Sequence, residues 1–245
     1  MSQVVNVIKA TGEIEPFSEE KVIASLVRAG APRSLADKIV QKIKLYLYPN
    51  IPTFEIYTAV MKILKKEQRE LADKYNLKAA IMELGPSGYP FEKFVAGILE
   101  ANGYKIKTNQ IIMGKCASHE VDVVAEKAGK KYMIECKFHN QVGGRTEIKA
   151  ALYTYARFLD LQSQGFDAAW LITNTKATQD VKNYGLCAGV KITSWNYPEG
   201  QSLRELVGKS GLMPITSLNS LSRAQKQSFL ERGIVFSKDI ASLHT

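Results

Sequence analysis

Residues 119–139, HEVDVVAEKAGKKYMIECKFH, place two carboxylates and a lysine where they could act together on a phosphate. The stretch reads as two strands and a tight turn. Val121 and Val123 alternate with Glu120, Asp122 and Val124, Lys127-Ala128-Gly129-Lys130 reverses the chain, and Met133 to Lys137 resumes as a strand. Side chains of like parity share a strand face, so Glu135 and Lys137 point one way and Ile134, Cys136 and Phe138 point into the apolar layer. A hairpin closed at Gly129 brings Asp122 to the Glu135 and Lys137 face from the neighbouring strand. Carboxylate oxygens suit a hard cation such as Mg²⁺ (or Mn²⁺), held through one or two carboxylates plus substrate phosphate. A lysine beside it can steady an attacking hydroxide or a crowded phosphate. The same spacing also describes a salt-bridged, solvent-facing sheet, and spacing alone leaves both readings open.

The bulk properties bound the rest. A length of 245 residues implies two domains and room for a minor third element. Hydrophobic residues at 45% and charged residues at 23% are ordinary globular values. No apolar run reaches the length of a membrane span, and MSQVVNVIKA has no signal-peptide core, so the expectation is a cytoplasmic protein with no membrane partner. Cys116, Cys136 and Cys187 offer neither a disulfide framework nor a C-x-x-C metal site. The net charge of +9 permits nucleic-acid binding without requiring it. Its excess is spread along the chain, +3 in 1–88, +4 in 89–197 and +2 in 198–245, so any cationic surface has to be assembled by folding.

In the N-terminal part, Val4 to Lys9 alternates, Ala10-Thr11-Gly12-Glu13 turns, and Ile14 to Phe17 resumes as the second arm of a hairpin. Ser18 is placed to cap a helix with Glu19 and Glu20 in its first turn and Val22, Ile23, Leu26 and Val27 as its apolar stripe. A second helix opens at Ser34-Leu35-Ala36-Asp37 and stops at Pro49 and Pro52, and Thr53 is expected to cap a third. A fourth runs from about Glu67 to Leu84, and Gly85-Pro86-Ser87-Gly88 reads as a domain boundary. VNVIKATGEIEPFSEEKV, IPTFEIYTAV and ADKYNLKAAI together resemble the ATP-cone, a nucleotide-sensing module, over about residues 3–84. The resemblance implies that Lys9, Glu15 and Lys21, with Val7 beside them and Thr53 and Tyr57 on the third helix, contact an adenine nucleotide, ATP or dATP. Ala10-Thr11 replaces the family's usual basic–acidic pair, and Tyr57 stands where a histidine often occurs.

In the middle part, Tyr89-Pro90-Phe91-Glu92 starts a helix that ends at Gly103, and Lys105 to Met113 alternates as a strand ahead of the hairpin. A long helix from about Thr146 to Leu161 carries Ile148, Leu152, Tyr155, Phe158 and Leu159. Phe166 to Thr173 reads as a strand buried on both faces, Ala177 to Gly185 as a helix and Val190 to Trp195 as the last strand. The order implies an α/β sandwich around a mixed sheet. FEKFVAGILEANGYKI, EVDVVAE and MIECKF followed by the long helix resemble the catalytic domain of Mrr-like restriction endonucleases, in the PD-(D/E)XK superfamily, over about residues 89–196. That resemblance implies a metal held by Asp122, Glu135 and the carbonyl of Cys136, with Lys137 as the catalytic lysine and Glu92 as an auxiliary carboxylate. Val121 stands where many such enzymes have proline. His119, Glu120, His139, Gln141 and Arg145 surround the motif. The loop Gln141-Val142-Gly143-Gly144-Arg145 is the best local candidate for a phosphate contact. Tyr153, Tyr155 and Trp170 read as packing residues.

After Pro198-Glu199-Gly200 the chain suggests short helices, resembling half of a helix-hairpin-helix element or a cap on the preceding domain. The expected organisation is 1–86, an ATP-cone of a hairpin and four helices; 87–197, a nuclease sandwich; and 198–245, a helical element. The expected activity is Mg²⁺-dependent, nucleotide-responsive hydrolysis of DNA, with a homo-oligomer compatible with the sequence. The alternative is a non-catalytic, ATP-controlled DNA-binding regulator on a degenerate nuclease fold.

Overall fold

A computed structural model describes residues 5–141 and 143–243. Val4 and Val142, which the readings above included, lie outside the described residues. The chain divides into two compact units, 1–77 and 78–245.

In the first unit β1 (Asn6–Ile8) pairs antiparallel with β2 (Ile14–Pro16). Helices α1 (Glu19–Arg28) and α2 (Arg33–Lys44) lead to β3 (Ile51–Pro52), followed by α3 (Thr53–Glu67) and α4 (Arg69–Met82), within which the division between units falls. Ser18 caps α1 by accepting from the Lys21 amide, and Ile23 and Leu26 are buried. Two expected caps are corrected: Pro32 and Pro52 occupy the N-cap positions of α2 and α3, and neither Ser34 nor Thr53 serves. Proline supplies the extended backbone of an N-cap, so a side-chain cap is not what starts these helices. The two-residue β3 went unforeseen; it joins β1 in parallel, Ile8 opposite Pro52, so Lys9 and Thr53 leave adjacent strands together.

The second unit opens with α5 (Tyr89–Ala101), then β4 (Lys105–Met113), β5 (Ser118–Lys127) and β6 (Lys130–Lys137). Next come β7 (Arg145–Thr146), α6 (Ile148–Leu161), β8 (Ala168–Thr173), β9 (Lys176–Ala177), α7 (Gln179–Ala188) and β10 (Lys191–Thr193). The sheet order is β10-β8-β6-β5-β4. Strands β6, β8 and β10 run parallel, and β4, β5 and β6 antiparallel, which makes the sheet mixed. The β5–β6 turn is closed by Ala128 and Gly129, both at positive φ, the conformation that matches the twist of a two-residue hairpin. β7 and β9, two residues each, form a separate parallel pair that places Arg145 on a strand. Trp170, on β8, is in the core.

On α6 the apolar residues divide between core and surface. Leu152 and Leu159 are 46% and 48% exposed, whereas Ala151, Thr154, Arg157, Phe158 and Leu161 face inward. Tyr153 is likewise exposed. The helix is apolar nearly all round, so its stripe did not fix its face. Helices α8 (Leu203–Ser210) and α9 (Arg223–Glu231) close the chain, each started by a serine capping box. Helix α8 packs on α5, where Asn102 Nδ2 donates to the Leu206 carbonyl at 3.1 Å, and Phe236, beyond α9, packs tilted against Phe94 at 5.4 Å and sits over Gly97, where a Cβ would meet the ring at 2.5 Å.

Candidate active site

The register Val123↔Ile134 puts Asp122 and Glu135 at facing positions where the β5–β6 ladder ends. On its other side, β5 pairs with β4 at Thr108↔Val123 and Gln110↔Val121, skipping Asn109 and Asp122, and Asn109 has φ of 51°. Val121 and Val124, three apart, join the same apolar cluster, which strict alternation forbids. The backbone irregularity is therefore centred on Asp122, as expected where a strand re-aims a side chain. Asp122 is held by the Cys136 amide, which donates to Oδ2 at 2.7 Å.

Helix α5 packs against β5 and β6 and brings Glu92 into the same field. Burial, then the charges of Asp122, Glu120 and Glu135, push the Glu92 carboxyl up to about 7. Burial and then Asp122 push Glu135 up to about 6, against the opposing pull of Arg157 and Lys137. Asp122 is also raised, first by burial. Three carboxyl groups are thus crowded together with less positive charge than their ionisation needs. The Cys136 thiol is buried and pushed well above its usual range, which leaves its backbone carbonyl as the plausible donor from that residue.

No three His, Cys, Asp or Glu side chains among the described residues form a ready cage for a metal. The donor set still fits a hard cation, because Mg²⁺ commonly takes only one or two carboxylates and keeps water or substrate oxygens for the rest.

Arg157 is the partner that the sequence reading missed. Its Nη1 donates to Glu135 Oε2, it lies 5.3 Å from the Tyr153 ring centroid, and its Nε is buried without an acceptor. An arginine spaced four residues from Tyr153 on a helix otherwise read as apolar was the available signal. Beside Glu135 opens a cleft of about 400 Å³, lined among others by Lys137, His139, Arg145, Lys149 and Tyr153. It presents three cationic side chains to whatever occupies it.

The remaining candidates divide. His139 lines the cleft, but its Nε2 lies 3.1 Å from Thr146 Oγ1, and Asn174 brackets its backbone at 2.9 and 2.7 Å. His119 is tied to Asp160 at 2.7 Å, and Asp160 also accepts the Cys116 and Ala117 amides. Gln141 is exposed, and its carbonyl accepts the Gly144 amide at 3.2 Å.

In the first unit Lys9 and Lys21 both reach Glu15, at 2.7 and 2.9 Å, and Lys9 also reaches Glu13 at 3.1 Å. Lys9 is raised and Glu15 lowered, each chiefly by hydrogen bonding to the other. The Val7 side chain is in the core, and its backbone lies between Glu15 on β2 and Ile51 on β3. Tyr57 bonds Asn76 Oδ1 and stacks on Tyr75 at 5.6 Å.

Residues 85–204 match the restriction endonuclease family Mrr_cat, and residues 5–82 match the ATP cone domain. An uncharacterized protein of Archaeoglobus fulgidus is 45% identical over 148 residues, which are 60% of this chain and 84% of the relative. A crystal structure of a protein of unknown function superposes with a TM-score of 0.58 at 44% identity, covering 64% of this chain and 84% of that one.

Proposed function

Because the chain belongs to the Mrr_cat restriction endonuclease family and carries an ATP cone domain in the same polypeptide, we propose that it is a nucleotide-responsive, Mg²⁺-dependent DNA endonuclease. The observation that carries the reading is the convergence of Asp122, Glu135 and Glu92 with raised carboxyl groups beside the exposed Lys137. A bound cation would let such a cluster ionise at lower pH.

Asp122 and Glu135 with the Cys136 carbonyl hold the metal, which when bound supplies Lewis acidity toward water and phosphate. Lys137 steadies the attacking oxygen by charge and donation. Glu92, neutral or ionised near physiological pH, takes or returns a proton at its carboxyl. Arg145 and Lys149 hold flanking phosphates in the cleft. In the first unit, Lys9 and Lys21 carry the nucleotide phosphates near the start of α3 at Thr53, with Glu15, which pairs with Val7, toward ribose or base and Tyr57 one turn further on. Nucleotide controls cleavage by binding two states of the enzyme with different affinity.

A second reading, a non-catalytic regulator, is favoured by one observation: Arg157 already occupies a Glu135 oxygen that a metal would use. Incubation of plasmid and linear DNA with Mg²⁺ or EDTA, with and without ATP and dATP, and against Lys137→Ala separates the two. Cutting that needs Mg²⁺ and Lys137 supports the nuclease. Intact DNA from a chain that binds ATP supports the regulator.

A further inference from the structure

The central hairpin has a second charged end, remote from the carboxylates. Where Ala128 and Gly129 turn the chain, a shallow cleft of about 350 Å³ is lined by Lys105, Lys127, Lys130 and Lys131, with Glu126 among them. Lys191 on β10 stands nearby, facing Tyr132 and Trp170.

Three of these lysines are braced by neutral groups. Lys127 Nζ donates to the Asn102 carbonyl at 2.6 Å and lies 4.8 Å from the Tyr104 ring centroid. Lys131 Nζ donates to the Gln164 carbonyl at 3.1 Å and lies 4.4 Å from the Phe166 ring centroid. Lys191 Nζ lies 3.5 Å from the Trp170 ring centroid.

Among the described residues none of the five is in an ion pair. Glu126 faces Lys105 and Lys131 in register without bridging either, and Asp167 accepts only the Lys131 backbone amide, at 2.6 Å. Four lysines against one glutamate leave the cleft with a net positive charge. Burial, and after it the charge of Lys127, lowers the Lys191 ammonium to about 8.

We infer that this lysine-lined turn is a second docking surface for the DNA backbone, separate from the reacting centre. The inference rests on the DNA endonuclease reading. Beside Gly103, Ala128 and Gly129 the cleft is lined by four lysines and Glu126, with no ring among its lining residues for a base to stack on, so it fits a sugar–phosphate backbone. Lys127, Lys131 and Lys191, already held by rings or carbonyls, lose little freedom on meeting phosphate, and Lys105 and Lys130 add charge beside them. Seven strand steps separate Lys130 from Lys137, about 23 Å, which is about seven base pairs along a duplex. The patch thus engages flanking DNA while the carboxylates engage the scissile bond.

The test is fluorescence anisotropy on the full chain carrying Lys137→Ala, with a labelled duplex of about 30 base pairs over a range of salt concentrations. Adding Lys105→Gln, Lys127→Gln and Lys130→Gln, all at exposed positions, is expected to weaken binding about tenfold and to lower the salt slope by between about 1 and 3, at about 0.9 per phosphate contact. The matching arginine substitutions are expected to keep the affinity. If the chain binds duplex and the glutamine variant binds it equally well with the same slope, the inference is overturned and the nuclease reading stands. Displacement of polyglutamate by the same substitutions, with duplex binding intact, overturns it in favour of an acidic protein partner. Failure of the chain with an intact patch to bind duplex at all overturns both.

Discussion

Arg157 on α6 donates from Nη1 to Glu135 Oε2 on β6, a pair whose side chains are only 8% and 18% exposed, and its own Nε is buried without an acceptor. The guanidinium therefore does two things at once. It restrains the ionised form of Glu135, and it competes with any cation for one of that residue's oxygens. Arg157→Met is expected to leave Glu135 uncompensated, at a cost of about 3 kcal/mol, or roughly 6–12 °C in melting temperature for a unit of this size. Because Glu135 is then protonated more readily, the loss is expected to shrink between pH 8 and pH 5. Thermal melts of the metal-free protein at the two pH values read this directly; an equal loss at both rules out the charge argument.

Lys137 is the exposed last residue of β6, and its side chain makes no hydrogen bond or ion pair among the described residues. Lys137→Ala is expected to leave the melting temperature unchanged and to lower cleavage about 10²–10⁴-fold. Asp122→Ala differs, because it also strips the acceptor from the Cys136 amide. It is expected to abolish cleavage, with a modest change in stability of about 1 kcal/mol in either direction, since a crowded carboxylate is removed along with the bond. A folded Lys137→Ala protein that still cuts at full rate defeats the assigned role.

The pH response of the metal-free protein has a fixed sign. Glu92 and Glu135 have carboxyls raised to about 7 and about 6, above the ordinary value near 4.5. Their contribution to stability is therefore fully present below about pH 4.5 and is lost as the pH rises through 6 to 7. Melting temperature is expected to fall across this window without metal, and Mg²⁺ or Mn²⁺ is expected to restore it most at the alkaline end. Metal binding near pH 6.5 is expected to release protons, which calorimetry in buffers of different ionisation enthalpy detects. Proton-neutral binding there excludes these carboxyls as the ligands.

What was legible in advance follows from which signals are local. The β5–β6 hairpin was readable because Lys127-Ala128-Gly129-Lys130 is a turn with few alternatives and strand parity then propagates from it. The α1 start was readable because Ser18 and two glutamates form a local cap. Arg157 was not, because α6 is apolar on most sides and a single arginine cannot show which face is buried until Glu135 is seen across the sheet. Two-residue strands such as β3, β7 and β9 carry no periodicity at all; they exist only through their partners. The irregularity at Asn109 and Asp122 left only a faint signal, since Asn and Asp disfavour regular strand without showing where the pairing will break.

In the first unit, Lys9 and Lys21 share the Glu15 carboxylate, so a nucleotide meets two lysines already gathered in one place. Lys21→Met is expected to weaken ATP binding about tenfold while leaving the nucleotide-free melting temperature unchanged, because exposed ion pairs add little to stability. ATP at about 100 times its Kd is expected to raise the melting temperature of the unsubstituted chain, and the same concentration to raise that of the variant much less. Equal shifts in both proteins remove Lys21 from the nucleotide site.

The docking of the C-terminal helices turns on Gly97, where the α5 backbone passes close enough to the Phe236 ring that any Cβ would sit 2.5 Å from it. Phe236 also packs against Phe94, so the ring cannot withdraw without losing that contact. Gly97→Ala is therefore expected to destabilise this attachment by about 1–3 kcal/mol through overpacking, although alanine is the better helix former at a mid-helix position. Limited proteolysis is expected to cut within about residues 211–222 sooner in the variant, and Phe236→Leu is expected to relieve part of the effect. A Gly97→Ala protein as resistant as the original would mean that the Phe236 ring yields at little cost, and that other contacts hold these helices in place.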